Sequence, residues 1–194
     1  VPEEMAGYEG YSFDTPGVIV TFYWKGGVND ISLELVGPNG VATNLAPNTG
    51  NEPVAIGKDV ATVYTMSGSA GFTMSMVFLY DPDEKAVEQG FYDFKIKNNT
   101  AQGIYVHGYT MDYISSWSRG VVFLDFESDA TTICHPSTAN SAISVGAYGG
   151  EFGTAEELGM LRGYSGRGPR MDGPVALDIA APDDPYAPLA QWDM

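Results

Sequence analysis

The chain has 194 residues, of which 44% are hydrophobic and 12% aromatic, and it carries a formal net charge of −16 from 9 basic and 25 acidic residues. That length suits one domain with a real core, or one domain and part of a second, and the apolar content excludes a disordered chain. The acidic excess argues against nucleic acid or an anionic membrane as a partner held by bulk charge, and no apolar run approaches the roughly 18 residues of a membrane span.

The first residues, VPEEMAGYEG, have neither a basic n-region nor an apolar h-region, so they are not a signal peptide, and with no initiator Met the chain reads as excised from a longer one. From Val18 to about Phe126 the pattern has period two. Val18, Val20, Phe22 and Trp24 alternate with Ile19, Thr21 and Tyr23; after a turn at Gly26-Gly27 and Asn29-Asp30, Ile31, Leu33 and Leu35 alternate with Ser32 and Glu34. Gly37-Pro38-Asn39-Gly40 breaks that run. Val60 to Met66 and Phe72 to Tyr80 read as two strands joined across Ser67-Gly68-Ser69, with Asp81-Pro82-Asp83-Glu84 capping the hairpin end. Tyr92, Phe94 and Ile96 alternate with Asp93, Lys95 and Lys97 as far as Asn98-Asn99, and Ile104 to Tyr109 and Val121 to Phe126 complete the set. About seven or eight strands with frequent turn signals predict a mainly β fold, an antiparallel sandwich resembling a jelly roll, whose clear alternation implies sheets with one wet face. Helical pattern is confined to one turn within Met111 to Trp117 and a short helix over Thr154 to Arg162, with Thr154 as N-cap and Glu157 at N3.

Near Thr131 the character changes to a compact, Gly/Ala-rich, loop-like sequence. We therefore place a β-sandwich insertion domain at 1–130 and a partial catalytic-domain segment, α/β in type, at 131–194. Cys134 is the single cysteine, which excludes an intrachain disulfide and a cysteine zinc cluster; it is expected to be a small buried hydrophobe.

Three blocks in the last third occur in a specific order. HPSTAN (135–140) leads into AISVGAY (142–148); YSGRGP (164–169) is followed by Asp172-Gly173; and LDIAAP (177–182) comes last. In this order they resemble the subtilisin-like serine proteases, over roughly a quarter of the chain. The first looks like the family's VGA strand, the second like its SSRGP block with Gly166 in place of Ser, and the third like its strand into an APG turn with Asp183 in place of Gly. Some members carry a jelly-roll insertion immediately before this region. The resemblance implies that the chain belongs between the oxyanion-hole Asn segment and the nucleophile, so that the Asp, His and Ser of the triad lie outside it and no catalytic, cofactor-binding or metal-ligating residue is assigned within it. A triad needs a nucleophile, a base, an orienting carboxylate and oxyanion donors, and no GTSxA-like nucleophile motif occurs.

His107, on the alternating stretch IYVHGY, reads as a sheet residue; His135, Ser137 and Ser165 read as structural. The acidic turns at Asn29-Asp30, Asp81 to Glu84 and Asp125 to Asp129 are oxygen-rich enough to hold calcium but lack diagnostic spacing, so solvated loops are the simpler reading. Tyr8, Tyr11, Phe13, Tyr23, Trp24, Tyr105, Tyr109, Tyr113 and Trp117 would serve either as packing or as an exposed row for sugar or peptide. Asn98-Asn99-Thr100 is a glycosylation sequon, relevant only in a eukaryotic secretory setting. Together these features lead us to expect a stretch of a secreted or cell-surface serine endopeptidase, inactive alone, whose partners are the rest of that protease and its peptide or protein substrate. A carbohydrate- or protein-binding sandwich and a structural spacer are the alternatives.

Overall fold

The structure is a computed structural model and describes residues 17–48, 52–68, 70–83, 86–112, 121–134, 137–150 and 157–183. The chain splits into two compact units, Val1–Asp125 and Phe126–Met194.

The first unit is built from β1 (Gly17–Lys25), β2 (Ile31–Val36), β3 (Ala42–Leu45), β4 (Val54–Ile56), β5 (Asp59–Ser67), β6 (Phe72–Tyr80), β7 (Asp93–Asn98) and β8 (Val106–Asp112). One sheet has the order β4-β5-β6-β1-β8 and the other β3-β2-β7, and every pairing in both is antiparallel. The alternation read in the sequence is the alternation of burial. Val18, Val20, Phe22 and Trp24 of β1 and Ile31, Leu33 and Leu35 of β2 are buried in one cluster with Ile56, Val63, Val77 and Leu79. The Phe22 and Phe94 rings meet edge to face at 5.1 Å, which joins the two sheets across that core. The Trp24 indole donates to the Gly27 carbonyl at 2.9 Å, so the largest buried side chain also has its polar atom satisfied. Gly40, at φ +75°, closes the turn that ends β2, its N–H donating to Gly37 O.

The fold is mainly β, as the pattern predicts, with four departures. β3 and β4 are short strands that the sequence pattern does not signal. Val121 to Phe126, expected as a strand, is irregular: Val121 and Phe123 pack on the core, the Val121 carbonyl accepts from the Thr110 hydroxyl at 3.1 Å, and Phe126 ends the stretch at φ +60°, outside strand geometry. Residues 157–162 of the expected Thr154 to Arg162 helix form a turn and a single bridge, Tyr148 with Leu161, while 154–156 lie outside the described residues. Beyond Asp112, the other expected helical turn also lies outside them. Fourth, only the three-stranded sheet has a wet outer face, where Lys95 pairs with Glu34 at 2.5 Å. The outer face of the five-stranded sheet is aromatic and Met-rich, with Tyr23 against Tyr109 and Tyr64 against Phe78.

The second unit holds β9 (Val145–Tyr148) and β10 (Ile179–Pro182), paired in parallel with Val145 opposite Ile179 and Tyr148 opposite Pro182. Parallel strands are ordinarily covered on both faces. Here Val145 and Ile179 are more than half exposed, and Ala176 is the one buried apolar residue of this unit among those described. No helix among the described residues is long and apolar enough to cross a membrane.

Candidate functional site

The three sequence blocks come together in the second unit. Gly146, at the centre of β9, has no room for a side chain: a Cβ there would sit 3.0 Å from a Leu177 methyl and 3.3 Å from Ser165 Oγ. Ser165 is buried, and its hydroxyl accepts the Ala147 N–H at 3.0 Å, which ties the YSGRGP block to the VGA strand. At the start of the pair the Asp178 carboxylate accepts the Ser144 N–H at 2.8 Å, while the Asp178 N–H donates to Ser144 O at 3.0 Å. A hydrogen bond onto an ionised acceptor is about twice as strong as a neutral one, so Asp178 sets the register of β9 and β10.

Asp183, which stands where the resembled family has Gly, lies just past the carboxyl end of β10. Its carboxylate accepts from Arg162 Nε at 2.7 Å and Nη2 at 3.2 Å and from the Tyr164 hydroxyl, and its N–H donates to Tyr148 O at 3.0 Å. The Arg162 N–H donates to Ala147 O at 2.9 Å, so segment 160–164 folds back along β9. The charged side chain that the substitution introduces is therefore matched by a fork of donors.

Gly166, which replaces Ser in the family pattern, also has a physical reason. A Cβ there would lie 3.1 Å from both the Ile133 Cα and the Thr132 carbonyl oxygen. The 129–133 segment clamps onto this block: the Thr132 N–H donates to Arg167 O, the Arg167 N–H donates to Thr132 Oγ1, each at 2.9 Å, and Arg167 Nη1 reaches Asp129 at 2.5 Å. Arg170 holds the approach to β9, donating to Thr138 O at 3.1 Å and Asn140 Oδ1 at 2.7 Å, while its other nitrogens bind Asp172. The hydrogen bond from Arg170, foremost, holds the Asp172 carboxyl below its ordinary range.

The remaining candidates are dispersed. His107 lies on β8 opposite Tyr23 of β1. His135 lies outside them, and Ser137 is half-buried in the approach to β9. Cys134 is exposed rather than buried: its segment is irregular, its thiol donates to the Thr132 carbonyl at 3.7 Å, and a lone apolar burst without a strand around it gives no core position. The acidic turns are occupied locally. Asp30 accepts the Gly27 N–H at 2.7 Å; Asp81 accepts the Asp83 N–H at 2.8 Å and pairs with Lys58 at 3.6 Å; Asp129 is taken by Arg167. Among the described residues no three His, Cys, Asp or Glu converge as a metal site would require. The sequon side chain Asn98 is engaged by its own turn, its Oδ1 accepting from the Thr100 N–H and hydroxyl. Of the aromatics, Trp24 is core, Tyr105 is exposed, and Tyr8, Tyr11, Phe13, Tyr113 and Trp117 lie outside the described residues.

One polar centre is not signalled by any motif. Asp59, at the start of β5, is fully buried. Its Oδ2 accepts from the Glu88 N–H at 2.8 Å and the Tyr92 hydroxyl at 2.7 Å, while its Oδ1 has no hydrogen-bond partner among the described residues. Burial first, then the hydrogen bond to Asp59 and the charges of Asp59 and Glu88, push the Tyr92 phenol well above its usual range. The one signal in the sequence is an acidic residue at an inward position of an alternating strand.

The chain is similar in structure to the Clostridium perfringens CspB protease, with a TM-score of 0.63 and 21% identity, over 86% of this chain and 34% of that one. The chain thus spans about a third of the length of this solved relative, and it shares its fold with part of a clostridial protease. No family model and no curated protein matches the chain.

Proposed function

We propose that the chain is a stretch of a secreted or cell-surface subtilisin-like serine endopeptidase, combining an inserted sandwich with a scaffold segment of the catalytic domain. The observation that carries this reading is the parallel β9–β10 pair: the AISVGAY and LDIAAP blocks lie side by side, with YSGRGP bound across them through Ser165. The fold shared with part of a clostridial protease supports it. In this reading the second unit performs no chemistry. It fixes two strands of the sheet that carries the active site, and in open α/β sheets the reactive groups lie beyond the carboxyl ends of such strands. The sandwich shapes access to the cleft or docks a partner. Nucleophile, base and orienting carboxylate come from elsewhere in the protease, so these 194 residues are inactive alone.

Two measurements test this. A fluorophosphonate probe should leave the isolated chain unlabelled, and labelling of Ser137 or Ser165 would overturn the reading. The reading frame that encodes the chain should supply a GTSxA-like motif soon after the codon for Met194 and Asp and His motifs before that for Val1; a frame without them would remove the protease assignment.

A further inference from the structure

We infer that the outer face of the five-stranded sheet is the contact surface of a homodimer. Alternation puts Ile19, Thr21 and Tyr23 of β1 on that face beside Phe78, Met76 and Met74 of β6, in register pairs Ile19–Phe78, Thr21–Met76 and Tyr23–Met74. The intervening residues of both strands are buried in the core. On β5 the same face carries Tyr64 and Met66, both exposed. In a chain with 25 acidic residues, these positions include none, and an apolar surface of this extent marks an interaction site.

A second copy is the occupant that the face itself specifies. A two-fold axis lying along the strands, between β6 and β1, brings Met74 opposite the partner's Tyr23, Met76 opposite the partner's Thr21 and Phe78 opposite the partner's Ile19. Sulfur then meets an aromatic ring and no carboxylate is buried, His107 of β8, opposite Tyr23, being the one titratable imidazole on the described face, with the two sheets stacked as in an ordinary sandwich. Four long strands about 4.8 Å apart give a face of roughly 500 Å², so two copies bury on the order of 1,000 Å², the lower bound for a specific interface. The dimer is therefore weak and reversible. Two bodies of charge −16 repel, and added salt screens that repulsion, so the dimer tightens as ionic strength rises.

Sedimentation equilibrium of the full chain, from micromolar to hundred-micromolar concentration at low and high salt, tests the proposal alongside three variants. Tyr64→Glu and Met66→Glu each place a carboxylate in the contact, against β8 of the second copy, and should each weaken the dimer about tenfold or more. Ser32→Glu, on the outer face of the other sheet, should leave it unchanged. Tyr64 and Met66 are exposed, so folding, checked by circular dichroism, survives; should Tyr64→Glu fail to fold, Met66→Glu decides. A monomer under every condition, a dimer indifferent to both face variants, equal loss with Ser32→Glu, or a dimer that salt weakens would each overturn the inference. The inference stands on the sheet alone and does not depend on the protease reading.

Discussion

The two units of this chain are held by different physics. In the first, fourteen buried apolar side chains among the described residues form one cluster. In the second, Ala176 is the one buried apolar residue described, and the framework consists of carboxylates and guanidinium groups bonded to backbone, as at Asp178, Asp183 and Arg170. Hydrophobic burial is non-directional and adds with area, so the sandwich should tolerate apolar residues of similar volume at most core positions. A polar framework is directional, and each member depends on its partners being in place. The first unit is therefore the stable body, and the second holds register without generating much stability of its own.

The largest test of that contrast is Trp24→Ala. It should cost the sandwich about 3–5 kcal/mol in urea unfolding, with hydrogen exchange at Ala147 and Thr132 in the second unit left as it was; a parallel loss of protection there would mean that the two are one cooperative body. Gly166→Ser restores the residue of the family pattern but presses on Ile133 and Thr132, and should cost about 1–3 kcal/mol locally, read as faster exchange at the Thr132 amide with no change in the unfolding midpoint of the sandwich.

Tyr92 gives a test by pH. Its folded pKa lies above the unfolded value of about 10, so above that pH the unfolded chain releases a proton that the folded one keeps, and stability falls as pH rises. Tyr92→Phe should lower stability near neutrality by about 1 kcal/mol or more, because it removes a donor from buried Asp59. It should also flatten the decline of the melting temperature between about pH 9 and 11; an unchanged slope would assign the alkaline loss to other groups. The smallest effect is expected for Arg162→Ala, about 1 kcal/mol or less, confined to exchange at Asp183 and Arg162. Limited chymotrypsin digestion sharpens the boundary: the bond after fully exposed Phe126 should be cut well before those after Phe22 or Trp24.

The same contrast explains which parts of the molecule were legible in the sequence. Strands β1, β2, β5 and β6 announce themselves because one face of each is buried, and burial writes a period of two. β3 and β4 span only four and three residues, too short to write a period. Val121 to Phe126 has the alternation without the ladder, since packing on a core requires only that alternate side chains face it. The Met and aromatic outer face of β6 was legible as well, since Phe72, Met74, Met76, Phe78 and Tyr80 share one face of FTMSMVFLY, but the surrounding alternation invited a wet-face reading. In the second unit the blocks were visible as motifs, whereas the reasons for Gly166 and Asp183 were not: each depends on a contact with a residue about twenty to thirty-five positions away.

The parallel pairing of β9 with β10 also bears on the order of events during folding. Val145 meets Ile179 only after the whole 146–178 stretch has been brought round, whereas β5 and β6 meet across a short turn between Ser67 and Phe72. Closing the longer loop costs more chain entropy before any contact offsets it. During synthesis, the β5–β6 hairpin can zip while the second unit is still unmade, and the strands that most need company are the last to find each other.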